Sequence, residues 1–198
     1  MAHIAPVAED DLPDEIRPIL EMARARMGFL PNSLPTMAHW PDLLKVFSPM
    51  AVTILRSGEL DVGLKQMIAA VTSAAAGCRY CQAHTSHGAA HAGGVDSEKV
   101  VRVWEYQQSD LFSDAERAAL DLALAAGQVP NAASDAHFSA LRRHFSEREI
   151  VEIVAVISLF GFLNRWNDTM ATALEDEPAA FAAATYAPDQ WDLGKHGA

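Results

Sequence analysis

The chain has 198 residues, half of them hydrophobic, which is enough to bury a core as one domain. Its formal charge of −11 repels a phosphate backbone, and no stretch gathers lysine and arginine among aromatics, so nucleic acid is excluded as a partner. Apolar runs fall far short of the roughly 20 residues of a membrane span, and Met1-Ala2-His3-Ile4 opens no signal peptide. A cytoplasmic protein with no membrane partner is expected.

Alternating strand patterns are missing and alanine-rich stretches of helical period dominate, so the fold class is all-α. Asp14 to Met27 carries Ile16, Leu20, Ala23 and Met27 at helical spacing, and Gly28 stops it. A second helix is expected from Pro41 or Asp42 to about Arg56. A third begins near Asp61 with Leu64, Met67, Ile68 and Val71 facing inward, and leads into the cysteines. Gly93-Gly94 ends the cysteine helix, and Ser97 to Tyr106 is a short one. SDAE from Ser113 has the spacing of a capping box, as does SERE from Ser146; Ser134 to His144 and Ser146 to Leu174 complete the helices. A single domain is expected, divided into N-terminal helices (1–56), a cysteine unit (57–110), a second helical unit (111–178) and a tail (179–198) left without assignment.

The stretch GCRYCQAHTSHGAAHAGG holds both cysteines of the chain together with His84, His87 and His91. A CxxC pair at a helix start brings two sulfurs within bridging reach, and unpaired backbone N–H groups there favour a thiolate. Two other readings compete. Small cysteines also fill alanine-rich cores. The pattern CxxCxxHxxH offers four ligand types for zinc, but at about 100° per residue Cys78, Cys81, His84 and His87 fan out over about 180° and do not converge on one ion. No metal is assigned. On the same wheel His84 stands about 60° from Cys81, which makes it the candidate base or proton shuttle. His87 is either a second relay member or a surface residue, and His91 a surface residue. His3, His39, His137, His144 and His196 fall in no constellation.

Shifted by 86 residues, Leu55-Arg56 lies on Leu141-Arg142, Met67-Ile68-Ala69 on Ile153-Val154-Ala155, and Cys78-Arg79-Tyr80-Cys81 on Asn164-Arg165-Trp166-Asn167. The pairing suggests two pseudo-repeated helical units, with alanine-rich coincidence as the competing explanation. It predicts that the two units overlay with the same connecting bend. It also sets Glu152 opposite Gln66, as a relay remnant or as a solvated helix charge, and makes Asn164 and Asn167 amide counterparts of the thiols.

Three segments, GFLPNSLPTMAHWPDLLKVF, LKQMIAAVTSAAAGCRYCQAH and FSEREIVEIVAVISLFGFLNRWNDT, resemble the alkylhydroperoxidase D-like, or carboxymuconolactone decarboxylase-like, superfamily, in particular its peroxidase-related branch. The resemblance implies an all-helical fold and homo-oligomers, commonly trimers or hexamers. It also implies a dithiol that reduces organic hydroperoxides, reopened by a thiol reductant or a partner peroxiredoxin, without a bound cofactor. By the same resemblance Cys81 is the peroxidatic thiol and Cys78 the resolving one. The family's glutamate twelve residues before the first cysteine is here Gln66, and its histidine four after the second is Thr85, so the histidine function is expected to have moved to His84. Other readings remain a general disulfide reductase, a decarboxylase-like enzyme not using the thiols, and a non-enzymatic redox sensor.

Overall fold

The computed structural model describes residues 2–186 and 191–197, and among these the regular structure is helical throughout. Residues 187–190 of the tail lie outside the described residues. The helices are α1 (Arg17–Met27), α2 (Ser33–Met37), α3 (Pro41–Arg56), α4 (Val62–Ala75), α5 (Arg79–His91), α6 (Ser97–Val101), α7 (Asp114–Gly127), α8 (Asp135–Leu141), α9 (Glu147–Met170) and α10 (Asp176–Thr185). No helix among the described residues is long and apolar enough to cross a membrane.

Local signals place most of these boundaries. Gly28 closes α1 in the left-handed conformation, Asp61 caps α4 by accepting the Leu64 N–H, and both serine capping boxes form, at Ser113 with Glu116 and at Ser146 with Glu149. The inward stripe expected on α4 is wider than its period indicates: every residue from Gly63 to Ser73 is buried. The reason is position, since α4 is the central helix, packed by α5, α7 and α9. Close approach requires small residues where Gly93, just past α5, lies over Gly63 of α4: a Cβ on Gly93 would stand 2.6 Å from the Gly63 Cα.

Two expectations are corrected in the C-terminal half. The last long helix ends at Met170 and not at Leu174, because Ala171 turns left-handed (φ 49°) and returns its N–H to the Asn167 carbonyl. A further helix, α10, then follows; Glu175 stands before it, Asp176 and Glu177 fill its first turn, and an alanine-rich run continues it.

α4 and α9, which the 86-residue comparison aligns, pack together, but the expected bend is not repeated. Between α4 and α5 the chain breaks at Gly77 (φ 76°), whereas α9 runs without interruption through the matching position, Leu163. Nothing about Glu152 or the asparagines can therefore be inferred from descent. Glu152 is neither relay remnant nor solvated charge. Its carboxylate accepts N–H bonds from Glu59 (3.0 Å) and Leu60 (3.2 Å) and pairs with Lys65 (2.9 Å) and Arg148 (3.0 Å). Burial opposes its charge, but the Lys65 ammonium and these N–H groups outweigh it and hold the carboxyl down at about 2. Lys65, only 1% exposed, also donates to the Ile54 and Ser57 carbonyls, so the pair fastens the α3–α4 loop to α9.

Candidate active site

The Gly77 break sets up the site. Cys78 is the residue immediately before α5, in extended conformation, and Cys81 lies in the first helical turn; both are free thiols and both are buried. The charges of the two thiols are coupled. The two sulfurs nevertheless face different surroundings. Cys81 lines a cavity of about 290 Å³, while Cys78 is turned away from it and is fully buried.

The cavity is walled by Met22, Met27, Phe47, Ala51, Leu55 and Leu163, contributed by α1, α3 and α9. Polar groups also line it: Cys81, Gln66, Tyr80, His84 and Asn167, with Arg26 of α1 and Arg56 of α3. Asn167 Nδ2 donates to Cys81 Sγ at 3.4 Å, so the amide that the repeat placed opposite the thiol touches it directly. Its other amide atom, Oδ1, is buried without a hydrogen-bond partner among the described residues.

The histidines separate by partner. His84 Nε2 meets Glu175 Oε2 at 2.5 Å, its ring stacks on Tyr80 at 4.3 Å, and its edge meets Phe29. Tyr80 Oη donates to the other oxygen of the same carboxylate at 2.9 Å, and the Asn32 N–H donates to it as well. Burial works against charge on Glu175, yet His84 and these donors hold it below the usual carboxylate range. The described hydrogen bonds thus tie His84 to Glu175 and not to a thiol, while both His84 and Cys81 open on the cavity. His87 also lines the cavity, stacked on His91 at 4.1 Å; burial, then the neighbouring imidazoles, push it down to about 4, so it is neutral near pH 7. Gln66 is buried against Gly88 and reaches the cavity wall. Thr85, at the family's histidine position, donates its hydroxyl back to the Cys81 carbonyl at 2.7 Å.

Three further residues join the site that local sequence reading did not bring to it as such: Asn167 by contact, Glu175 and His196. Glu175 had a local signal, the acid-rich start of α10. His196, which the sequence placed in no constellation, is 1% exposed; its Nδ1 donates to the Thr172 carbonyl at 2.8 Å and its ring lies 5.9 Å from that of Tyr80.

The electrostatics of the two sulfurs diverge. The Cys81 S–H bond stabilises charge on Cys78, burial opposes it, and His196 adds to the stabilisation, bringing Cys78 down to about 6. Cys81 moves the other way: burial first, then the Cys78 thiolate, push it well above the ordinary thiol range. The pair therefore shares one proton near neutral pH, with the charge favoured on Cys78. Among the described residues no group of three or more His, Cys, Asp or Glu is arranged to hold a metal ion.

Comparison with known proteins finds relatives that share the fold. The model of the carboxymuconolactone decarboxylase family matches residues 41–125. A cysteine-to-alanine variant of the debrominase Bmp8, solved in complex with 2,3,4-tribromopyrrole, is 36% identical, with a TM-score of 0.86 over 93% of this chain and 98% of that one. A peroxidase-related protein with an alkylhydroperoxidase AhpD core, from Ralstonia eutropha JMP134, is 32% identical, with a TM-score of 0.76 over 89% and 93% of the two chains. The uncharacterised protein YnjA of Escherichia coli K12 is 34% identical over 111 residues, which span 56% of this chain and 60% of YnjA.

Proposed function

The chain belongs to the alkylhydroperoxidase D-like, or carboxymuconolactone decarboxylase-like, superfamily, and from that premise we propose that it is a dithiol reductase delivering two electrons to a small halogenated aromatic ring. The carrying observation is the position of Cys81, a thiol paired with a second thiol and opening on an apolar cavity of about 290 Å³. Walls of methionine, leucine, alanine and phenylalanine suit a flat apolar ring. The similarity to a debrominase over nearly the whole chain supports the choice of substrate.

In this reading the halogen passes to the Cys81 sulfur while the ring carbon keeps the C–X electron pair and takes a proton. Cys78 then displaces halide from that sulfur, so that the two thiols lose two protons and close one disulfide. Cys81 meets the substrate because it faces the cavity, and Cys78 closes the disulfide. His84, held by Glu175 at the cavity wall, supplies the proton the ring carbon gains. An external dithiol then reopens the disulfide at Cys81, with Cys78 as leaving group; a thiol of low pKa leaves fastest.

A second substrate, an alkyl hydroperoxide, is favoured by the CxxC pair and by the similarity to a peroxidase-related structure. There Cys81 takes the terminal oxygen as a sulfenic acid and releases an alcohol, and Cys78 expels water as the disulfide closes. Reduced protein mixed with 2,3,4-tribromopyrrole or with cumene hydroperoxide separates the two. One bromide released per disulfide formed, faster than with dithiothreitol alone, is the expected result. Stoichiometric alcohol without bromide transfers the assignment to the peroxidase reading, and an unoxidised dithiol in both arms ends the reductase reading.

A further inference from the structure

We propose that Asn167 is a catalytic residue: its side-chain amide N–H donates to the Cys81 sulfur and stabilises the thiolate that attacks the substrate. This role rests on the dithiol reading above, in which Cys81 meets the substrate, and it is the same for a halogenated ring and for a hydroperoxide.

The contact is direct, and both of its ends are held. Asn167 Nδ2 of α9 stands 3.4 Å from Cys81 Sγ in the first turn of α5, and Asn167 is only 1% exposed. On α5 the Thr85 hydroxyl donates to the Cys81 carbonyl at 2.7 Å. On α9 the Asn167 carbonyl accepts from the Ala171 N–H and, at 3.1 Å, from the Thr172 N–H, where the helix turns left-handed and ends. Both residues line the cavity, so the bond forms at its wall.

For stability alone the amide is a poor choice at this place. Its Oδ1 is buried without a hydrogen-bond partner among the described residues, and a buried polar atom left unpaired destabilises a fold. Asparagine is also a weaker helix former than leucine, and α9 continues past it to Met170. An apolar side chain of the same outline would remove both costs. The one hydrogen bond that the side chain makes among the described residues goes to the sulfur, so the N–H is where the amide acts.

The chemistry at Cys81 requires such a donor. A thiol attacks as its thiolate, which burial and the charge of Cys78 oppose here, and the Asn167 N–H works in the other direction. A neutral donor does so without burying a further charge. The charged and titratable groups nearby are otherwise engaged or of the wrong sign. Tyr80 and His84 bond Glu175, His87 is neutral and stacked on His91, and Asp168 of α9 opposes a thiolate. Arg26 and Arg56 line the cavity, but among the described hydrogen bonds neither reaches the sulfur. On ionisation the Cys81 S–H bond breaks, its electron pair stays on sulfur, and the proton passes to the adjacent Cys78 thiolate, so the pair keeps its net charge. The amide then faces a full charge, and such a hydrogen bond is about twice as strong as one between neutral groups.

The test is alkylation of Cys81 by iodoacetamide at pH 8 in the full chain carrying Cys78→Ser, which leaves one thiol and needs no substrate. Loss of the donor is expected to raise the Cys81 midpoint by about one unit, cutting the thiolate fraction about tenfold. The more basic thiolate is about threefold more nucleophilic, so alkylation should slow by about threefold. Asn167→Leu and Asn167→Ala are each read against that parent. The first keeps the branched outline, and the second opens space beside the sulfur, so a packing or access role predicts faster alkylation in Asn167→Ala. A rate unchanged or raised in either variant overturns the proposal. Asn167→Leu also removes the unpaired Oδ1, so its melting midpoint is expected at or above that of the parent. A lowered midpoint with an unchanged rate makes Asn167 a packing residue and likewise overturns the proposal. Turnover separates this result from the wider reading: if alkylation slows as expected but the intact dithiol reduces neither tribromopyrrole nor cumene hydroperoxide, the reductase reading fails and the bond to the sulfur stands.

Discussion

Glu152→Gln separates a structural anchor from a proton relay in one experiment. The substitution keeps the shape of the side chain and one acceptor for the Glu59 and Leu60 N–H groups, but removes the charge facing Lys65 at 2.9 Å. Lys65 is 1% exposed, so its ammonium would be left buried without a counter-charge. Removing one partner of such a pair costs about 3–5 kcal/mol. The Ile54 and Ser57 carbonyls still accept from Lys65, which sets the expectation at the low end, about 3 kcal/mol. The second pair, with the solvent-exposed Arg148, adds no more than about 0.5 kcal/mol. At roughly 2–4 °C per kcal/mol for a chain of this size, the melting midpoint should fall by about 6–12 °C. Turnover per folded molecule should not change. The pH dependence carries a sign: a carboxyl lowered from 4.5 to about 2 stabilises the fold above pH 4.5, and that contribution is lost as pH falls through the window down to about 2. The stability gap between wild type and variant should therefore close across that window in urea titrations. A loss below about 1 kcal/mol, or lost turnover at unchanged stability, refutes the anchor.

Three more outcomes are expected. Turnover with saturating dithiol should decline as pH falls through about 6, because Cys78 is the charged thiol above that value and is protonated below it; a rate that rises toward pH 5 contradicts the assignment. Glu175→Gln should lower kcat by about 10²-fold with a smaller change in KM, since it strips the charge from the partner of His84 and Tyr80; unchanged kcat removes the pair from the reaction. Val46 and Met50 on α3 and Val151 and Phe162 on α9 are exposed, so light scattering at low micromolar concentration should show an oligomer, reduced in Val151→Glu; a monomer removes that expectation.

Legibility followed sequence distance. Helix ends set by one residue or a capping box were readable, as at Gly28, Asp61, Ser113 and Ser146, because the interaction that fixes each lies within four positions. The full burial of α4 was not, because its amphipathic period shows one inward face while the neighbours supplied by α7 and α9 cover the others. Within the site, Cys78, Cys81 and the cavity-lining His84 sit in one motif, and spacing alone found them. Glu175 lies 91 positions from His84, and Asn167 lies 86 from Cys81, so only the folded chain shows which of them meet.

The same limit explains why the motif says little about which sulfur does what. Spacing treats the two cysteines of CxxC as equivalent, and the helix start favours a thiolate at either. Their difference comes from what approaches each side of that start. The cavity and Asn167 lie against Cys81, while Cys78 is closed off from solvent. Charge is favoured on the sulfur away from the cavity and the proton on the one that lines it, which is the sulfur that meets substrate in the proposed reaction. This arrangement protects the thiolate from adventitious oxidants, since reactivity needs exposure as well as charge. In the proposed reaction the first step is proton loss from Cys81, for which the adjacent Cys78 thiolate is the nearest acceptor.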